Sequence, residues 1–312
     1  MKSRLRFLAV GAEGLFLCIQ AGAAFALSWL PERTWYPVTR LAAGVAAQVA
    51  DWVRPWAGPD AARRTTVAVW RWHARLPVYR TYRPGGWNPA LELVGREHIE
   101  AALAAGHGAI LWVHPANDFS FLTKRAIARS GYRLYQLSHE HHGVGPQPVS
   151  VRLLNPMLTR VEDRYLAGRI LLGGHLESAG NAEGVHREVV GAMRAVREKL
   201  LANQLVAITV GSQGRDVANL PVRRGEARIA TGPIHLAAST GAALLPVFVN
   251  ARPGGGYRVW VEGPLAVPAG RRADLAPVLS EYLAGMRRHL RRFGREAGYW
   301  GHGKQRRRNR EG

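Results

Sequence analysis

The sequence predicts an α/β fold: a single mixed sheet flanked by helices, preceded by N-terminal membrane-associating helices. Three observations predict it. From Leu91 onward, short apolar runs alternate with amphipathic helical stretches, a pattern that builds a sheet with helices on its faces. Gly106, Gly131 and Gly241 each close one of those stretches, as helix-ending glycines do. Between residues 35 and 87 the periodicity is helical, with breaks near Pro55–Pro59 and Pro77.

The N-terminus opens with Lys2, Arg4 and Arg6 and then runs mostly apolar from Phe7 to Leu30, interrupted by Glu13 and Gln20. The run is long for a signal peptide, lacks a clean small-residue cleavage site and is marginal for a spanning helix. It reads as a membrane-dipping helix, or as a helix packed on the domain. Residues 35–87 interleave Trp35, Trp52, Trp56, Trp70, Trp72 and Trp87 with many arginines. Amphipathic tryptophans beside cations suit a lipid headgroup layer, and the same mixture can stack nucleic-acid bases.

Strands are expected at Leu91–Val94, Ala109–Val113, Arg133–Leu137, Leu205–Val210, Ala243–Asn250 and Tyr257–Val261. Helices are expected at Glu97–Ala105, Ser120–Ser130, Gly184–Asn203, Ile229–Ser239 and Asp274–Phe293. This divides the chain into a helical membrane-associating region at 1–88, an α/β domain at 89–295 and a basic tail at 296–312.

The chain of 312 residues carries 43 Lys and Arg against 22 Asp and Glu, a formal net charge of +21. Such a surface attracts polyanions, either nucleic acid or an anionic bilayer. From Arg287 to Arg310 there are ten Lys and Arg residues and one acid, Glu296. A tail of that kind either stays solvated or strengthens binding to anionic lipid. Nucleic acid is not expected, because no recognised binding motif accompanies the charge. Cys18 is the only cysteine, which excludes an intramolecular disulfide or a cysteine-based zinc site.

Chemistry concentrates at Gly108-Ala-Ile-Leu-Trp-Val-His114-Pro-Ala-Asn117-Asp118-Phe119. An apolar strand ends in a histidine, and Pro115 suits the first turn of a following helix. If that helix starts at once, Asp118 lies one turn in and can approach His114. A carboxylate beside a histidine fixes its tautomer and prepares it to take a proton near neutral pH. The other reading is a histidine capping a helix with no chemistry. His139, Glu140, His141 and His142 lack a standard zinc spacing and read as a polar loop. Leu176-Glu-Ser178-Ala-Gly180 lacks the first glycine of a nucleophile elbow.

Leu93 to His114, Val151-Arg-Leu-Leu-Asn155-Pro-Met-Leu, Val161-Glu-Asp-Arg-Tyr165 and Val222 to Val249 together resemble, in this order, the lipid A late acyltransferases of the lysophospholipid acyltransferase family. The resemblance covers roughly 90–265. It implies a glycerolipid acyltransferase-like fold at the cytoplasmic face of a bacterial inner membrane. It also implies transfer of a fatty acyl group from a thioester, on acyl carrier protein or coenzyme A, to a hydroxyl or amine of a lipid or glycolipid. His114 would be the general base and Asp118 its partner. Asn117, Ser212, Gln213, Arg223, Arg224, Gly225 and Arg228 would bind substrate, the arginines through phosphate. No metal or other cofactor is expected, and the partners are anionic membrane lipid, the lipid acceptor and the acyl carrier.

The family signature has four residues between histidine and acid. Here Asp118 follows after three, and Phe119 takes the acidic place. Either Asp118 works from an earlier helix start, or another group orients His114, or the chain is an inactive lipid-binding member of the fold.

Overall fold

The computed structural model describes residues 15, 17–52, 61–73, 75–115, 120–139, 148–172, 182–211, 216–222, 225–252, 255–268, 270 and 274–293. Its helices are α1 (residues 17–28), α2 (Glu32–Trp52), α3 (Ala61–His73), α4 (Leu76–Arg80), α5 (Arg96–Ala104), α6 (Ser120–Arg129), α7 (Asn155–Asp163), α8 (Ala182–Leu201), α9 (Gly232–Thr240) and α10 (Ala276–Phe293). Its strands are β1 (Leu91–Val94), β2 (Ala109–Val113), β3 (Leu134–His139), β4 (Gly168–Leu172), β5 (Leu205–Thr209), β6 (Val217–Val222), β7 (Gly225–Ala230), β8 (Ala243–Ala251) and β9 (Tyr257–Val261).

Contacts divide the chain into two compact units. One comprises Met1–Pro89, Asn117–Phe121 and His139–Tyr165, the other Ala90–Ala116, Leu122–Ser138 and Leu166–Gly312.

The first unit has a tryptophan-lined interior. Trp35, Trp72, Leu76, Tyr79 and Trp87 are buried. Burial of an indole calls for a partner on its N–H. Trp72 Nε1 accordingly donates to Gln20 Oε1 at 3.0 Å, Trp35 Nε1 to the Leu30 carbonyl at 3.1 Å, and Trp87 Nε1 to Glu32. Arg80 lies over the Trp35 ring at 5.9 Å and donates to the Leu30 carbonyl at 2.8 Å. Three of the tryptophans expected at a headgroup layer are thus core residues, while Trp52 remains 76% exposed.

One face of α2 buries Trp35, Thr39, Ala43 and Ala50. Val38, Leu41, Val45, Val49 and Trp52 are exposed and recur at helical spacing as a second, apolar stripe. No described helix is long and apolar enough to cross a membrane.

The second unit is α/β, as expected. Its seven-stranded sheet runs β1-β9-β8-β2-β5-β3-β4. It is mixed: β2 is parallel to β5 and β8, β3 to β5 and β1 to β9, whereas β8 and β9 are antiparallel. Helices cover both faces. Residues of α8, α9 and α10 pack with Ile110 and Trp112, and residues of α5 and α6 pack with Ala109, Leu111 and Val113.

Three corrections follow. The sheet is not single, because β6 and β7 form a separate antiparallel pair with Val222 opposite Gly225. Residues 229–230, expected to begin a helix, instead complete β7. The helix starts at Gly232, where Pro233 occupies its first turn, a place that proline's fixed backbone angle favours. Finally, β4, α7 and the π-helical turn Ser150–Leu154 before α7 occupy stretches where no element was expected.

The start of β2 is fixed by a tight crossing. Gly108 has φ +67°, and a β-carbon there would stand 2.6 Å from the Gln204 carbonyl and 2.8 Å from that of Leu200, so only glycine fits. Asn203, itself left-handed at φ +56°, accepts the Gly108 N–H at 2.9 Å and donates to the Leu103 carbonyl at 2.9 Å. One side chain thereby ties the end of α5 and the α8–β5 turn to the first residues of the central strand.

Candidate functional site

His114 follows β2 directly, and its backbone N–H still bonds the Val247 carbonyl of β8 at 2.8 Å. The extended register therefore continues through it. Side chains alternate between the faces of a strand. Ile110 and Trp112 face α10, so His114 faces it too, away from α5 and α6. There the imidazole Nδ1 lies 2.7 Å from the Tyr282 hydroxyl.

The surroundings are aromatic and dry. The His114 ring centroid lies 5.6 Å from that of Phe248, and Tyr282 packs on Trp112 at 4.5 Å. Phe248 also stacks on His289 at 4.4 Å. His289 Nε2 is 2.6 Å from Glu262 Oε1, and Glu262 Oε2 is 2.8 Å from Arg288. A second histidine, with its own carboxylate, thus stands one ring away from the first.

These contacts set the protonation states. His114 is 4% exposed. Burial, with a smaller contribution from His289, lowers its pKa to about 3, because a desolvated imidazolium has lost its water. Burial also pushes the Tyr282 phenol well above its usual 10. At neutral pH both partners are uncharged and one proton lies between them. Burial works to raise the Glu262 carboxyl, but hydrogen bonds with His289 and Arg288 outweigh it and hold the carboxyl below the usual range.

Of the other expected site residues, Asn117, Asp118, Ser212, Gln213, Arg223 and Arg224 lie outside the described residues. Gly225 opens β7, and Arg228 is exposed on β7 opposite Asn219. The end of β7 is anchored to the chain just after β5, which pairs with β2. Ala230 N–H bonds the Gly211 carbonyl at 2.8 Å, and Val210 N–H bonds the Val113 carbonyl at 2.9 Å. Arg228 and His114 therefore belong to the same margin of the sheet, beyond the carboxyl ends of β2 and β5. Clefts for ligands form at such strand ends in open α/β sheets. His139 ends β3 as an exposed residue, and Glu140, His141 and His142 lie outside the described residues. Among the described residues no group of three or more His, Cys, Asp or Glu is arranged to hold a metal.

Tyr282 and the Glu262–His289 pair carry no motif, and Phe248 lies in the Val222–Val249 stretch with no role assigned to it there. The available signal was in α10. Val278, Leu279, Tyr282, Leu283, Met286 and His289 form its buried stripe, and a tyrosine and a histidine inside such a stripe require hydrogen-bond partners. Lys124 and Arg125 of α6 are likewise buried, at 1% and 5% exposure.

No protein-family profile matches the chain, and no curated protein matches it significantly.

What this margin can do chemically is limited and definite. A neutral imidazole, held at Nδ1 by a neutral phenol and shielded from water, can pass one proton. Arg228, exposed on β7 at the same margin of the sheet, can hold an anionic group.

Proposed function

We propose that the protein is a membrane-associated acyltransferase. It moves a fatty acyl group from a thioester, on acyl carrier protein or coenzyme A, to a hydroxyl or amine of a lipid or glycolipid, lipid A among the candidates. The observation that carries the reading is the placement of His114, a dry imidazole directly beyond the carboxyl end of the central strand. His114 is the general base. It takes the acceptor's proton as the acceptor attacks the thioester carbonyl, and the leaving thiolate receives a proton in turn. A thioester is already activated, so no covalent enzyme intermediate is needed. Arg228, with Arg223 and Arg224, holds phosphate on acceptor or donor. The exposed stripe of α2 and the +21 charge support work at an anionic bilayer, on this reading the cytoplasmic face of a bacterial inner membrane.

The test is acyl transfer from radiolabelled acyl-carrier-protein and acyl-coenzyme A to extracted lipid by the full-length protein. His114→Ala should lower the rate at least about 100-fold, the lower range of general-base contributions, with the circular dichroism spectrum unchanged. A folded variant with wild-type turnover overturns the assignment.

One observation favours a second reading, an inactive lipid-binding member of the fold. A base with a pKa lowered to about 3 is weak. On that reading vesicle binding persists while neither thioester is consumed.

A further inference from the structure

We infer that Arg252 and Arg258 form a phosphate-binding pair on the face of the sheet that carries His114. They lie on the β8–β9 side of β2, whereas Arg228 lies on the β5 side. This deepens the acyl-transfer reading, and rests on it only for the ligand's being a substrate.

The strand register places the pair. Phe248 of β8 stands opposite Trp260 of β9, and Phe248 packs with the α10 residues that His114 also faces. Two residues further towards the carboxyl end of β8, Asn250 stands opposite Arg258, which stands beside Glu92 of β1. Residues two apart on a strand share a face. Arg258 accordingly lies over the Trp260 ring at 5.2 Å. Asn250, Arg258 and Glu92 therefore continue the His114 face past the carboxyl ends of β2 and β8. Arg258 is two strands across and two residues along from His114, which puts their backbones on the order of 12 Å apart.

The chemistry is a surplus of donors. Arg258 Nη2 donates to Glu92 Oε2 at 2.8 Å, and Arg252 Nη1 approaches the same oxygen at 3.4 Å. Each guanidinium offers several N–H donors in a fixed fork, and among the described residues Glu92 is the one acid that either meets. Arg258 Nε is buried without an acceptor, a costly state for a cationic donor. The hydrogen bond from Arg258 holds the Glu92 carboxyl below its usual range. Glu92 is therefore ionised at neutral pH, and the three groups sum to one positive charge. The Arg258 and Arg252 side chains are 33% and 40% exposed, so a ligand can reach them while Glu92 holds both in place. Planar, paired N–H groups match the oxygens of a phosphate. A surface ion pair needs one arginine, and the second leaves a charge for an anion to balance.

The experiment measures binding to the full-length protein in detergent at fixed low ionic strength. One arm uses equilibrium dialysis of radiolabelled coenzyme A, which carries the phosphates of a thioester donor. The other uses phosphatidic acid in mixed micelles, counted in excess over phosphatidylcholine micelles, for a phosphate on a lipid acceptor. Arg252→Gln combined with Arg258→Gln should weaken binding at least about tenfold in one arm or both, and the arm affected identifies the source of the phosphate. Arg194→Gln combined with Arg197→Gln, which removes two exposed charges from α8, should change it by no more than about twofold. Glu92→Gln should tighten binding about twofold or more, because it removes the competing negative charge. Unchanged affinity of the Arg252/Arg258 variant in both arms overturns the inference, as does an equal loss in the α8 variant. Should the Arg252/Arg258 variant not fold, Glu92→Gln decides, and unchanged or weaker binding there overturns it. Failure here leaves His114 as the base, and an active His114→Ala leaves the binding measurement valid.

Discussion

The burial of His114 has a measurable cost in acid. Its pKa is about 3 in the folded protein against an ordinary 6.5, so the unfolded chain binds a proton that the folded chain refuses. Stability is therefore complete above about pH 6.5 and is lost progressively as pH falls towards 3. Between pH 7 and pH 5 this single histidine should account for about 2 kcal/mol of lost stability. His114→Gln should lack that component, so its urea midpoint should change less between the two pH values than that of the wild type. Equal shifts would show that the imidazole titrates normally. His73, lowered by burial to about 4 beside Thr39, adds acid sensitivity that the substitution leaves in place. Much of this was legible beforehand. An apolar strand ending in histidine marked the position, and the two-residue period of a strand set its face. The partner was not legible, because local spacing points to nearby residues and says nothing about a tyrosine from another helix.

At the scale of elements, α2 carries two faces with different destinations. Trp35, Thr39, Ala43 and Ala50 point inward, while Val38, Leu41, Val45, Val49 and Trp52 point outward. An in-plane amphipathic helix binds lipid in proportion to the apolar area it immerses. Leu41→Asp combined with Val45→Asp should therefore weaken binding to anionic vesicles by at least about tenfold, since immersing each apolar side chain in lipid contributes of the order of 1.5–3 kcal/mol. Thermal stability should hardly change, both positions being exposed. Vesicle sedimentation checks this, and undiminished binding would place the lipid contact elsewhere. Elements with strong apolar periodicity, such as α5, β2, β8 and α10, were readable within a residue or two. The pair β6–β7 was not. Asn219, Pro221 and Glu226 break the apolar alternation that identifies a strand, and Pro233 alone carried the helix boundary.

At the scale of the molecule, charge and topology each set a consequence. With a formal net charge of +21, the electrostatic part of the proposed vesicle binding should fall steeply with salt as the screening length contracts from about 10 Å at 0.1 M to about 3 Å at 1 M. The apolar part should survive. Titrating salt against vesicles of fixed anionic content should therefore reach a plateau above zero binding, and complete release would assign the attachment to charge alone. The α/β class and the order of the sheet's helices followed from the alternation of elements, but the clustering of His139–Tyr165 with the N-terminal helices did not. Contacts between distant stretches leave no local pattern.

The hydrogen bond between His114 and Tyr282 spans 168 positions of sequence. At roughly 5–20 residues per second, a ribosome that has just added the histidine needs about 8–34 s more to add the tyrosine. During that interval the emerging chain can form β2 and the helices after it, yet the imidazole lacks its phenol and the layer that α10 supplies. Maturation of this buried pair is thus timed by elongation through the stretch that separates the two residues.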